Sequence, residues 1–399
     1  MSGIVKEAKV INNNLTGIKN MDSINNVFSR ASHLALEAIK LPYRAACWFC
    51  SRVVSVVSSV KNYLTKVISG DAFVFGSKNV SVRTNLSDRS CTYHYYSSSN
   101  DGNPVEIKGA GKPVTRCRDI GSFQDLSVSG IVNLYWHNAP ARPIQITTEP
   151  NIQDYIETSV KGGKLTVGLK PGYSISTNKG VTVHVWSPSC NKAEGKGFTK
   201  IIAMDRIKQN AFEINMSDHS SFEGGVDVQN LETNISSFAE AKITGNALKH
   251  TIRVSGSSAL DAGGLKTSQC DIDVSSMASA NISCDEQLDC KVHGSGALCG
   301  NLAVEQLKSA ISGFGTVKFT GRATTHHAEI SGTGRLEAGK LRTSHSTVEV
   351  SSLGSAEVFC EHSLKASVPS ITGTLKYAGR PRVEASASSL KRMETFIPR

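Results

Sequence analysis

Apolar and polar positions between residues 216 and 368 recur on two scales at once. On the long scale, Met216, Ile235, Val254, Val274, Val292, Ile311, Ile330, Val350 and Val368 each precede a small cluster of Ser and Gly, at steps of 19, 19, 20, 18, 19, 19, 20 and 18 residues. A period held over nine copies marks stacked repeats, because a unit this short buries its apolar side only against its neighbours. On the short scale the parity is two. The residue before each anchor is mostly polar (Asn215, Asn234, Arg253, Asp273, Lys291, Ala310, Glu329, Glu349, Ser367), and two before it small or apolar types return, among them Ile214, Ile252, Ile272, Ala328 and Val348. That is a strand with one face inward.

After the anchor comes Ser in seven of nine copies, then Gly, Ser or Asp, as a turn requires. Six residues past the anchor the chain is apolar again, with Phe222, Ala241, Leu260, Ala280, Leu298, Val317, Leu336 and Ala356; Thr374 breaks the series. Many copies then reach a Leu (Leu231, Leu248, Leu265, Leu288, Leu307, Leu341, Leu364) that leads into the next coil. Short strands and corners fill each unit and leave no room for a helical crossover. The pattern predicts a mainly β chain: a parallel β-solenoid of about 19-residue coils, right-handed by the crossover preference. Nine coils at strand spacing give a rod of about 43 Å. The serines read as a corner ladder whose hydroxyls satisfy turn amides.

Upstream the chain stays strand-like but less regular. Phe123 to Trp136 alternates and carries the same Val-Ser-Gly corner at Val128; a helical turn is expected at 151–155, a hairpin at Gly162 and Gly163, and a further strand at Val181 to Trp186. Gly130, Ile131, Val132 and Asn133, followed by Leu134 and Tyr135, resemble the Gly-Ile-Asn signature of the GIN domain family of autotransporter adhesin heads. The order of motifs around it fits as well, over residues 105–384, about 70% of the chain. The resemblance implies a β-helical, exported or surface-attached bacterial domain with no established catalytic residues and no cofactor.

The N-terminal region has a different character. Residues 1–22 contain no apolar core of a cleavable signal peptide. From Ser23, Ile24, Val27, Phe28, Ala31, Leu34, Ala38 and Leu41 share one helical stripe, and a second apolar segment runs from Pro42 to Gly70. This α-helical region over 23–70 is basic and amphipathic, with Arg44, Trp48, Phe49, Arg52, Lys61 and Lys66 as candidate contacts to an anionic membrane surface or a partner. Its uncharged runs are too short to span a bilayer. It also suits a cap over the first coil, or a cryptic export signal. Cys47 and Cys50 lack the further Cys or His pair of a zinc site.

Charge separates the ends from the middle. Of the net +10, +6 lies in residues 1–70 and +4 in residues 376–399, leaving the remainder neutral. A neutral rod is a poor surface for phosphates, which excludes nucleic acid as its partner. The ten cysteines do not form a disulfide framework: Cys290 replaces an inward residue, and Cys284 and Cys360 share one repeat position four coils apart. Such usage suits a reducing compartment. The outward positions carry no acidic ladder of the kind a polysaccharide-cleaving β-helix needs. His293, His326 and His327 are expected at corners or on the surface rather than as metal ligands.

The resulting division is a loose segment 1–22, the helical region 23–70, an irregular linker 71–104, the solenoid 105–384 with regular coils from about 211, and a basic tail 385–399. The function expected is a non-catalytic binding scaffold, adhesin-like, that presents a long β-face to a protein or glycan. Two alternatives stand beside it: an exported effector docked to membrane by its N-terminal helix, and a carbohydrate-active β-helix enzyme.

Overall fold

The apolar anchors stack one on another. In the computed structural model, which describes residues 80–85, 90–96 and 105–397, Met216 pairs with Ile235, Ile235 with Val254, Val254 with Val274, and Val274 with Val292. The series continues through Ile311, Ile330 and Val350, always parallel. The sequence period is therefore the coil length, and the solenoid makes about 11 turns. Seventy or so inward side chains form one continuous core from Phe123 to Leu375, as stacking of short units demands.

Each long strand wraps most of a coil. In Glu240–Val254 the buried residues are Ala241, Ile243, Ala247, His250, Ile252 and Val254. The alternation breaks at Leu248 and Lys249, two successive exposed residues, and this break is the bend between two sides of the coil. Coils longer than 19 residues absorb the extra residue in bulges opposite Lys242 to Thr244 and Lys318 to Thr320, away from the anchors. The 18-residue coil from Val274 to Val292 is interrupted instead, as Ser279–Cys284 and Gln287–Val292.

Three expectations change at single positions. Leu248 is 55% exposed, because His250, two residues on, takes the inward place that Leu231 holds in the coil before. His326 is buried in the equivalent place above Leu307, not at a corner or on the surface. Thr374 breaks the apolar series because the turn after Val368, which contains Pro369, runs one residue longer; Leu375 pairs with Ala356 and is fully buried.

The two ends of the stack are finished differently. On one side of the first coils, Val132–His137 pairs parallel with Val181–Trp186, which pairs antiparallel with Ile144–Thr148, itself antiparallel to Val114–Arg118. On another side, Asp125–Gly130 pairs parallel with Lys164–Leu169, which forms the expected hairpin with Ile156–Lys161. Arg118 ties the two antiparallel strands together, donating to the carbonyls of Gln153 and Ile156 and to the Thr158 hydroxyl. The helical turn is a 3-10 turn at Gln153–Tyr155. At the other end the segment expected as a basic tail is a last coil: Arg382–Ala385 and Met393–Thr395 pair with the strands before them, and a helical turn at Ala387–Leu390 lies between. Phe396 then lies on Gly339, where a Cβ would come within 2.8 Å of its ring.

Residues expected as an irregular linker contain the strands Val80–Asn85 and Ser90–Tyr96, and Tyr93 to Tyr96 pair antiparallel with Thr177 to Ser174. The expected helical region 23–70 lies outside the described residues. Among the described residues no helix is long and apolar enough to cross a membrane. The seven cysteines from Cys117 to Cys360 are all free; Cys284 and Cys360 play the same role four coils apart, each thiol donating to a carbonyl of its own bend and to one of the coil before.

Candidate functional site

The turn after each anchor has one construction. Two residues past the anchor the backbone is left-handed, at Asp218, Ser237, Gly256, Ser276, Gly294, Gly313, Gly332 and Ser352. This reverses the chain in four residues and explains the Ser/Gly/Asp preference read from the sequence. The next residue points outward, and its N–H donates to the carbonyl of the left-handed residue in the coil before: Phe238 to Asp218, Met277 to Gly256, Phe314 to Gly294, Leu353 to Gly332. The residue after that points back into the core and must be small, as Ser220, Ala239, Ser258 and Ala278 are. At Gly334 a Cβ would sit 2.9 Å from the Ile311 side chain.

The outward residue at these corners forms a straight ridge along the solenoid. In chain order it reads His219, Phe238, Ser257, Met277, Ser295, Phe314, Thr333 and Leu353. Phe238 is 56% exposed, Met277 50%, Phe314 57% and Leu353 44%. Large apolar side chains standing in water on every second level of one face are unusual and mark a contact site. Toward the first coils the ridge is a ring stack: Phe198 on His219 at 4.5 Å and His219 on Phe238 at 5.1 Å, both nearly parallel. Burial in that stack lowers the His219 pKa, partly offset by Asp218, so the ring is neutral where it stacks.

The signature residues lie at the start of this ridge. Gly130, with φ of 95°, is the left-handed residue two past Val128, and its carbonyl accepts from Phe198 N–H, as in the later corners as far as Leu353. Ile131 holds the ridge position of its level but is buried, and Asn133 is exposed beside Lys200. Sequence reading found the corners and missed the ridge. The apolar type three past the anchor was the available signal.

A second ring cluster occupies the outer side of Val132–His137 and Val181–Trp186. Tyr135 stacks on His184 at 4.9 Å and His137 on Trp186 at 5.0 Å, with Arg142 on Trp186, its guanidinium carbon 3.9 Å from the ring centre. His137 Nε2 and His184 Nδ1 share a hydrogen bond of 3.0 Å. Burial and the neighbouring His137 lower the His184 pKa. Facing rings cover one another here, so the cluster offers edges rather than an open face.

One shallow depression, of about 360 Å³, has Lys308, His327, His345, Lys365 and Glu384 on its rim. Two of its rings are already engaged: His327 meets Glu329 at 3.0 Å and His345 bonds Ser363 at 2.7 Å. Among the described residues no three His, Cys, Asp or Glu side chains are placed to hold a metal ion. Arg44, Trp48, Phe49, Arg52, Lys61 and Lys66 lie outside the described residues.

Two overlapping stretches, 122–299 and 279–381, match the family model described as "Putative auto-transporter adhesin, head GIN domain". Among solved structures, the chain is similar to one described as a "putative adhesin" from Bacteroides fragilis NCTC 9343, at 19% identity and a TM-score of 0.50, over 53% of this chain and 99% of that one. It also matches a "putative adhesin" from Parabacteroides merdae ATCC 43184 (18% identity, 73% of this chain and 96% of that one, TM-score 0.35). A third match is a "Putative lipid binding protein" from Parabacteroides distasonis ATCC 8503 (17% identity, 73% and 96%, TM-score 0.30). No curated protein matches.

Proposed function

This chain belongs to the family of GIN-domain auto-transporter adhesin heads, and on that premise we propose that it is a non-catalytic, exported or surface-attached bacterial binding scaffold whose contact surface is the corner ridge. The observation that carries this reading is the ridge itself: Phe238, Met277, Phe314 and Leu353 expose apolar side chains from rigid, hydrogen-bonded turns. Contact residues held by the backbone ladder lose little freedom on binding, which favours affinity per contact. The winding is taken as right-handed on the crossover preference. The partner is a protein or glycan on another surface.

Adhesion of beads coated with the full chain to cells and to arrayed glycans tests the reading. Both Phe238 and Phe314 point into solvent, so Phe238→Ser with Phe314→Ser leaves the core intact. The double variant should retain its melting temperature and lose adhesion by at least about tenfold, the loss of one or two contact anchors. Adhesion equal to that of the parent protein would remove the ridge from the role.

A further inference from the structure

The ridge has a period of two coils. Large apolar side chains at Phe238, Met277, Phe314 and Leu353 alternate with small ones at Ser257, Ser295 and Thr333. One coil advances about 4.8 Å, so the knobs stand about 10 Å apart with a notch between each pair. Such a profile is complementary to itself when one copy is shifted by an odd number of levels.

We propose that the ridge docks a second copy of this chain, ridge to ridge and antiparallel, about a two-fold axis between the levels of Met277 and Ser295. This deepens the binding role proposed above and rests on it. With the axis there, Met277 faces Ser295 of the second copy, Phe314 faces Ser257, and Phe238 faces Thr333. Every knob in this stretch lands on a notch, and two-fold symmetry makes each contact twice.

The charges beside the ridge agree with this register. On the strand side before the turn, Asp273 and Lys291 are cross-strand neighbours within one copy. The axis sets Asp273 against Lys291 of the second copy and Lys291 against its Asp273, an alternating square. On the side after the turn, Glu240 faces Arg335; two residues further out, Lys242 faces Glu337 and Asp261 faces Lys318. From the Phe238 level to the Thr333 level no like charges meet at these positions. A shift of one level sets Phe238 against Phe314 and Met277 against itself. Moving the axis one level toward the C-terminus restores knobs to notches but sets Asp273 against Glu329. Complementary charge fixes register in this way because like-charge contacts are penalised more than opposite ones are rewarded.

Analytical ultracentrifugation of the full chain over a range of concentrations tests the proposal. The expected result is a monomer–dimer equilibrium that weakens as salt is raised, since the flanking pairs are exposed. Arg335→Glu places two like-charge contacts in the dimer and should weaken association about tenfold or more. Glu240→Arg added to Arg335→Glu restores opposite charges with reversed polarity and should recover most of the loss, a rescue that a partner of any other kind would not show. Phe238→Ser with Phe314→Ser should abolish the dimer. A chain that stays monomeric at several hundred micromolar, or a dimer indifferent to Arg335→Glu and to the serine variant, overturns the proposal. If the chain is monomeric while the serine variant still loses adhesion, self-pairing fails and the binding role of the ridge stands; if that variant adheres normally, the binding role fails as well.

Discussion

His250 and His326 are the residues at which polar chemistry enters the core. Each ring is buried and bonds through Nε2 to a hydroxyl of the preceding coil, Thr233 at 2.9 Å and Ser309 at 3.0 Å, and burial pushes both pKa values down to about 3. The folded protein therefore refuses a proton that the unfolded chain accepts below about pH 6.5. Stability is full above that pH and falls as the solution is acidified toward pH 3, by about 1.4 kcal/mol per pH unit for each ring. Between pH 6.5 and 4.5 the pair should cost of order 5 kcal/mol. Leu307 fills the place below His326, so His326→Leu with Ser309→Ala fits the column, and urea midpoints measured against pH should show roughly half the acid slope. Unchanged slopes would mean that His326 titrates normally. The sequence held a trace of this arrangement: both His follow, one coil on, a hydroxyl residue two before an anchor. A histidine beside His327 reads as surface until its column is seen to hold Leu231, Leu288, Leu307 and Leu364.

At the scale of elements, the repeat was legible because strand parity and anchor spacing are both set by burial, and burial leaves its mark on residue type. The anchors, the second strand, the hairpin at Gly162 and the strand Val181–Trp186 all stand where the pattern placed them. The ridge was hidden for the opposite reason: solvent imposes no residue type on it, and Ser257, Ser295 and Thr333 dilute its apolar signal. The corner beneath it makes a sharper statement. Gly313 has φ of 66°, and a Cβ there would lie 2.9 Å from the Gly294 carbonyl oxygen. Gly313→Ala should cost about 1–2 kcal/mol, the penalty of a left-handed L-residue. Ser276→Gly and Ser352→Gly, at φ of 61° and 56°, relieve that penalty and should raise the melting temperature. Thermal unfolding of the three variants checks the turn geometry; equal small losses in all would argue against left-handed corners.

For the whole molecule, the ends carry what the coils do not. A stacked sheet exposes open edges at its termini unless something finishes them. The antiparallel strands joined by Arg118 at one end and the coil closed by Met393–Thr395 at the other do so. The pattern assigns residues 385–399 to a basic tail, because Lys391 and Arg392 hide the short strand Met393–Thr395 among charges. The remaining excess of charge belongs to residues 1–70, which hold nine Lys and Arg against three acidic residues, with Trp48 and Phe49 among them. Apolar insertion and attraction to anionic lipid reinforce one another in such a stretch, and the attraction fades as the screening length falls from about 10 Å at 0.1 M salt to about 3 Å at 1 M. We expect the full chain to float with vesicles containing phosphatidylserine at low salt and to release at high salt. Glu in place of Arg44, Arg52, Lys61 and Lys66 should abolish flotation, while the same number of reversals on the solenoid, at Lys242, Lys266, Lys318 and Lys340, should leave it intact. Flotation that ignores anionic lipid, or that survives reversal in the N-terminal stretch, would move membrane contact onto the solenoid and leave residues 23–70 to a capping or export role.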